Sequence, residues 1–357
     1  MTTTTNTLDG ALPTITLADP AELIASLPPL LGFRPADSLL LLGLTGAEGR
    51  RLRSMVRADL PPEGKEPDAV CAVMDVFGHN GLQAVEIVVV GNHPAQPPPS
   101  SGPPHRLLVD LLGEAFEELR IPVRHATWTP EIRGGAPWCC YREKDCGGTL
   151  PDDLSTVAAA TIAMQGGVTY RSREDLLRQL APDDPEALAR RTEMLNAAID
   201  ALDPSVPPAA LTPGYAKAVR AAIEAVRRGD LSFSDEQLVE LAMALCDPYI
   251  RDAGLAAARV PHCSRDAERL WLELVRRIPA PERAEPAVLL AYSAYLRGEG
   301  ALAGIALDNA LEASPGHVLA DLLERCRSTS MPPDRLRTLA QHEHHPDIFP
   351  PPENEPA

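Results

Sequence analysis

Cys139, Cys140 and Cys146 are three of the chain's seven cysteines, and they fall together in the string Trp138–Gly148. Thiols, an aromatic ring and paired glycines in one short stretch could do two kinds of chemistry. Two or three of the thiolates could hold zinc, with His125 or another distant residue completing a tetrahedron, although structural zinc pairs usually leave about two to four residues between cysteines and neighbouring side chains splay apart. Alternatively one thiol could act as a nucleophile, which needs a base such as His125 or a cation such as Arg142 to lower its pKa. Buried or incidental cysteines are the plainer reading. No cofactor beyond such a zinc ion is expected.

A second group of residues could bind an anion. Asp37 lies where the turn Gly32–Ala36 delivers the chain into an aliphatic run, and Arg51, Arg53 and Arg57 share one face of an alternating segment. Guanidinium groups in that array suit a phosphate or carboxylate, with Asp59 pairing one of them. With Trp138 they make a candidate ligand site: Asp37, Arg51, Arg53, Arg57 and Trp138. The plainer alternatives are an Asp37 that accepts backbone N–H groups and a solvated, salt-bridged strand face.

Dedicated signatures are missing. There is no Gly-x4-Gly-Lys-Ser/Thr string, no His-Glu-x-x-His and no Gly-x-Ser-x-Gly, and Gly298-Glu299-Gly300 sits between helices, where it cannot cradle a pyrophosphate. His342, His344 and His345 belong to a tail with no framework to hold a metal.

The elements that must position these residues change character along the chain. Ile15–Leu17 reads as a short strand. Asp19 caps a helix expected to run from Pro20 toward Leu31, and Gly32 ends it. Ser38–Leu44 is a strand covered on both faces, Arg50–Asp59 alternates beside it, and Leu82–Val90 is the clearest strand of all. Helices are expected over 69–77 and 106–119, and the proline-rich Pro94–Pro104 is read as a surface excursion. Strand signals vanish after residue 150. Helices are then expected at 153–165, 172–180, 185–202, 214–228, 235–246, 264–278, 285–297, 301–313 and 316–326, with Ser172, Ser234 and Ser264 as N-caps and Gln237 completing a capping box. Asp247, Arg251 and Asp252 read as an i,i+4 ion pair. Leu290, Ala291, Gly298, Ala303, Ala310 and Pro315 fall at the offsets of one tetratricopeptide-like hairpin. The expected layout is therefore an α/β domain with a mixed sheet over 1–150, an all-helical domain over 151–341 and a disordered tail over 342–357.

Charge narrows the partners. The net charge of -17 is spread over both halves, so nucleic acid and anionic membrane surfaces are not expected to bind. The N-terminal residues lack the basic and apolar regions of a signal peptide, and no apolar run reaches the roughly 20 residues of a membrane helix. A cytoplasmic location is expected, with Cys71, Cys246, Cys263 and Cys326 as reduced thiols.

The strings Leu30–Leu39, Arg57–Pro61, Trp138–Gly148, Tyr170–Glu174 and Arg251–Ala253, with the helices from Trp271 to Pro315, resemble an actinobacterial family described as domain of unknown function 4192. The resemblance covers most of the chain and implies membership without an assigned activity. The residues themselves favour an interaction or regulatory module whose helical half meets a protein partner. The competing readings are an enzyme or small-anion receptor at the sheet edge near Asp37, Arg57 and Trp138, and a zinc module built on the Cys139–Cys146 loop.

Overall fold

The computed structural model describes residues 3–7, 19–46, 51–77, 81–91, 102–143, 145–164, 167–329 and 331–339. The expected strand at Ile15–Leu17, the loop residues 92–101 and the tail 342–357 lie outside the described residues. The chain forms two compact units. One runs from Met1 to Leu176 and includes Gly298–Ala301 and Cys326–Pro333; the other holds the remaining residues.

The first unit is built on a mixed sheet. Its strands are β1 (Thr3–Thr7), β2 (Ser38–Thr45), β3 (Arg51–Asp59), β4 (Ala84–Val90), β5 (Val123–Thr129), β6 (Pro137–Cys140) and β7 (Gly147–Thr149). Their order across the sheet is β1-β3-β2-β4-β5-β6-β7. Among these described strands only β4 and β5 pair in parallel; the other neighbours are antiparallel. The parallel pair needs a crossover, supplied by α4 (Arg106–Glu118). With α3 (Glu66–Phe77), it covers one face. There Leu39, Leu41, Val56, Ile87, Val89 and Trp128 pack against Val70 and Val73 of α3 and Leu108, Leu112 and Phe116 of α4. The opposite face is buried too, at Leu40, Leu42, Met55 and Val88, which is why β2 and β4 read as continuous aliphatic runs.

That second buried face corrects one expectation. Arg57 and Met55 do not lie on a solvated strand face; both are buried. The register also breaks between Gly43 and Leu44, so that Gly43 pairs with Ser54 while Leu44 pairs with Leu52, leaving Arg53 in the bulge. A Cβ on Gly43 would stand 2.6 Å from Ser54 Oγ, which fixes glycine at this crossing.

The helix expected from Pro20 to Leu31 is two helices, α1 (Pro20–Ala25), capped by Asp19, and α2 (Leu27–Leu31). The break falls at Ser26, just before Pro28 and Pro29, which lack the N–H groups a continuous helix would use. The region Trp138–Gly148 is the β6–β7 hairpin rather than a loop. Beyond it come a 3-10 turn at Asp153–Ser155, α5 (Val157–Met164) and α6 (Arg173–Arg178). Although these follow residue 150, chain up to Leu176 belongs with the sheet. Two ties account for that: the Arg34 guanidinium meets Asp153 Oδ2 at 2.7 Å, and Phe33 bridges Tyr170, with Tyr170 N–H donating to the Gly32 carbonyl at 2.8 Å.

The second unit contains α7 (Pro185–Asp200), α8 (Pro208–Arg227), α9 (Asp235–Leu245), α10 (Pro248–Ala257), α11 (Ser264–Arg277) and α12 (Ala284–Leu296). α13 (Gly300–Ala313), α14 (Val318–Ser328) and α15 (Pro333–Leu339) complete the described chain. The capping box of Ser234 and Gln237 is formed, and the stripe Ala267, Leu270, Trp271, Leu274 and Val275 of α11 is fully buried. Three expectations change. Ser264 is the first helical residue of α11 and Cys263 the N-cap. α8 begins at Pro208 and runs through Pro213. Asp247 caps the unforeseen α10 through Tyr249 N–H at 2.8 Å, while Arg251 pairs with Asp252 at 3.0 Å instead of Asp247.

Candidate functional site

At the end of the sheet where β2 begins and β4 ends, three of the strings singled out above meet. The Arg57 guanidinium donates from Nε to Ser38 Oγ at 2.9 Å and pairs with Asp59 Oδ1 at 2.5 Å. Ser38 in turn donates to the Ala36 carbonyl at 2.6 Å. Burial lowers the Arg57 pKa; Asp59 opposes that shift, while Arg173 and Glu174 add smaller contributions of opposite sign. The cation is already coordinated by its own chain, so its evident role is to fasten the start of β2 to the end of β3.

Beside it stand two residues in left-handed backbone conformations, Asp37 (φ 43°) and His105 (φ 57°), the latter as N-cap of α4. Between β4 and the start of α4, Gly91 (φ 104°) passes so close to Asp37 that a Cβ would lie 2.4 Å from its Oδ1. Burial pushes the His105 imidazole down, opposed by the charges of Glu66 and Asp37. His105 is therefore biased toward the neutral form at neutral pH.

The other residues of the anion hypothesis are elsewhere. Arg51 lies at the opposite end of β3, six residues from Arg57 and so about 20 Å away. Trp138 occupies β6, three strand spacings from Ser38 or about 14 Å, and is buried. The structure brings Asp37 and Arg57 together and leaves Arg51, Arg53 and Trp138 apart from them.

The cysteine string resolves into a hairpin. Cys140 N–H donates to the Cys146 carbonyl at 2.9 Å, and the two sulfurs are joined in a disulfide across Cα atoms 5.4 Å apart. The pleat sends Cys139 to the opposite face, where it packs against the core of α3 and α4. Burial pushes its thiol up, away from the thiolate a nucleophile or metal ligand requires. Cys71, Cys246, Cys263 and Cys326 are free. His125 turns its Nδ1 to the Glu86 carboxylate at 3.1 Å. Burial raises the Glu86 pKa, and His125 and Arg124 oppose it. Among the described residues no group of three His, Cys, Asp or Glu side chains is placed to hold a metal ion.

A site that the sequence did not announce lies in the helical unit. The segment between α7 and α8, the first turns of α8 and the junction of α9 with α10 enclose a groove of about 1210 Å³. Leu202, Val206, Leu211, Met243, Tyr215 and Tyr249 give it an apolar, aromatic wall. Leu202, Val206 and Tyr249 keep 42%, 40% and 43% of their surface exposed, so apolar area is presented to solvent along the groove. Polar groups are few. Asp247 is committed to capping α10 and to accepting the Thr212 hydroxyl at 2.7 Å. Burial raises the Tyr215 pKa, with Asp247 adding to it, so the phenol remains a hydrogen-bond donor at neutral pH. Pro213 also leaves the Ala209 carbonyl without its usual helical donor. The signal available in sequence was the proline-broken string Leu202–Pro213, which has no helical period.

The sheet unit and the helices define an α/β plus all-α protein with an open apolar groove in its helical part. The chain belongs to the family described as Domain of unknown function (DUF4192), whose pattern matches residues 20–334. No curated protein and no solved structure matches it. No helix among the described residues is long and apolar enough to cross a membrane.

Proposed function

We propose that this protein is a binding module whose helical unit takes up an extended, proline-containing apolar segment of a protein partner. The observation that carries this reading is the groove walled by Tyr215 and Tyr249. Its volume of about 1210 Å³ exceeds the roughly 300–1,000 Å³ of an ordinary small-molecule pocket. Aromatic-lined grooves suit polyproline segments, because that backbone is already extended and loses little entropy on docking. Its carbonyls project outward without internal partners, where a tyrosine hydroxyl can donate to them. Met243 adds an unbranched side chain that adapts to irregular surfaces.

The test is fluorescence anisotropy with a labelled Phe-Pro-Pro-Pro-Leu-Pro peptide and a Gly-Ser peptide of equal length. The proline peptide is expected to bind with Kd of order 10–100 µM, as for other short segments in shallow grooves. Tyr249→Ala, a change at a 43% exposed ring, should weaken it about tenfold, or ~1.4 kcal/mol, and leave the melting temperature unchanged. Equal binding of both peptides, or indifference to Tyr249→Ala, would dismiss the reading.

A further inference from the structure

We infer that the first occupant of this groove is the chain's own C-terminal segment, Ile348-Phe349-Pro350-Pro351-Pro352, which competes with any partner. The inference rests on the groove being a polyproline site and adds its intramolecular ligand. Two observations single out this segment. The first is composition: the stretch beyond α15 offers two large apolar anchors followed directly by three prolines. That combination matches a wall of tyrosine, leucine and methionine side chains.

The second is reach. The end of α15 is held beside α10 and α12: Arg259 donates to the Arg337 carbonyl at 3.4 Å, and Arg337 donates to the Leu296 carbonyl at 2.9 Å. Arg259 follows the last turn of α10, whose first turn carries Tyr249 of the groove. Ten residues of helix place that tyrosine about 15 Å away. The ten residues from Leu339 to Phe349 can span up to about 33 Å, so Phe349 reaches the groove with slack to spare. A tether of this length sets an effective concentration of ~1 mM. Against an intrinsic Kd of about 100 µM, that occupancy costs an incoming peptide roughly tenfold in affinity.

The experiment uses the full-length chain and its Phe349→Asp variant, with a fluorescein-labelled peptide of residues 342–357 as probe. The peptide is expected to bind Phe349→Asp, to bind the unaltered chain about tenfold more weakly, and to lose binding when Tyr249→Ala is added. Equal affinity for the unaltered chain and Phe349→Asp would overturn tail occupancy. Binding of the Phe-Pro-Pro-Pro-Leu-Pro peptide but not of the tail peptide would sink this inference alone and leave the groove reading standing. Displacement of the Phe-Pro-Pro-Pro-Leu-Pro peptide by a peptide of residues 94–104, with no effect from the tail peptide, would likewise assign the groove to another segment. If neither proline peptide binds, both proposals fall.

Discussion

Arg191→Ala is expected to destabilise the helical unit by about 2–3 kcal/mol, the loss of a buried guanidinium's hydrogen bonds to carboxylates that themselves keep contact with water. Arg191 is 5% exposed and ties together chain from three places. Its Nε donates to Asp235 Oδ1 at 2.6 Å, and its Nη1 to Asp183 Oδ2 and to the Arg277 carbonyl, both at 2.9 Å. The start of α7, the start of α9 and the end of α11 therefore share one guanidinium. Burial works against that charge, but the bonds to Asp235 and Asp183 outweigh it and hold the Arg191 pKa above its ordinary value. Arg191→Lys should recover less than half of the loss, since an ammonium cannot reproduce the planar fork. Hydrogen exchange of α7, α9 and α11 reads the result without assuming that the two units unfold together. Unchanged protection in Arg191→Ala would refute it.

The same knot gives a pH dependence. Hydrogen bonding to Arg191 holds both Asp183 and Asp235 below the ordinary aspartate value of 3.8. A carboxyl depressed on folding contributes stability that is fully present above its unfolded pKa and is lost as pH falls through the lower folded value. The helical unit should therefore weaken as the pH drops below about 4, and Arg191→Ala should flatten that limb of the profile. Urea midpoints between pH 6 and pH 2.5 would show it; parallel profiles for the two proteins would count against the assignment.

What could be read from the sequence was what is local. Asp19 and the Ser234–Gln237 box act on backbone groups within three residues, so their caps were visible in the string. The stripe of α11 and the aliphatic β2 and β4 follow from side-chain period alone. Nonlocal features were not legible. Arg57 looked like part of an exposed basic face because its burial depends on chain outside β3, including Ser38 and the Ala36 carbonyl, which its guanidinium meets. Pro248 and the small residues of α10 hid a helix, although its Gly254 is what lets α10 approach α12, a Cβ there falling 2.8 Å from Leu289 Cδ1. The groove needed three segments brought together, and the helical periods of 214–228 and 235–246 say nothing about their meeting with the proline-broken stretch between α7 and α8.

The sheet edge follows the same logic from the opposite direction, since Asp37 was singled out in the string and its neighbour Gly91 was not. Gly91→Ala is expected to cost about 3–5 kcal/mol, combining a strained positive φ worth about 1–3 kcal/mol with a steric clash. The clash is the larger part. The new Cβ would fall 2.4 Å from Asp37 Oδ1 and 2.7 Å from Asp37 N, and the backbone atom cannot swing aside. That nitrogen is held because the Asp37 carbonyl accepts Leu60 N–H at 3.0 Å and Arg57 fastens the next residue, Ser38. Gly91 is fixed as well, by donation to the Thr129 carbonyl at 3.0 Å and by accepting from Trp128 Nε1 at 3.1 Å. Gly135→Ala separates the two contributions, because Gly135 has φ 79° and nothing within 4 Å of a Cβ; it should cost only about 1 kcal/mol. Asp37→Gly in the Gly91→Ala background should restore part of the loss, relieving its own φ of 43° and removing the carboxylate from the new methyl. Denaturation of the three variants beside the unaltered chain decides the matter. If Gly91→Ala costs no more than Gly135→Ala, the contact between Asp37 and Gly91 does not hold this corner of the sheet together.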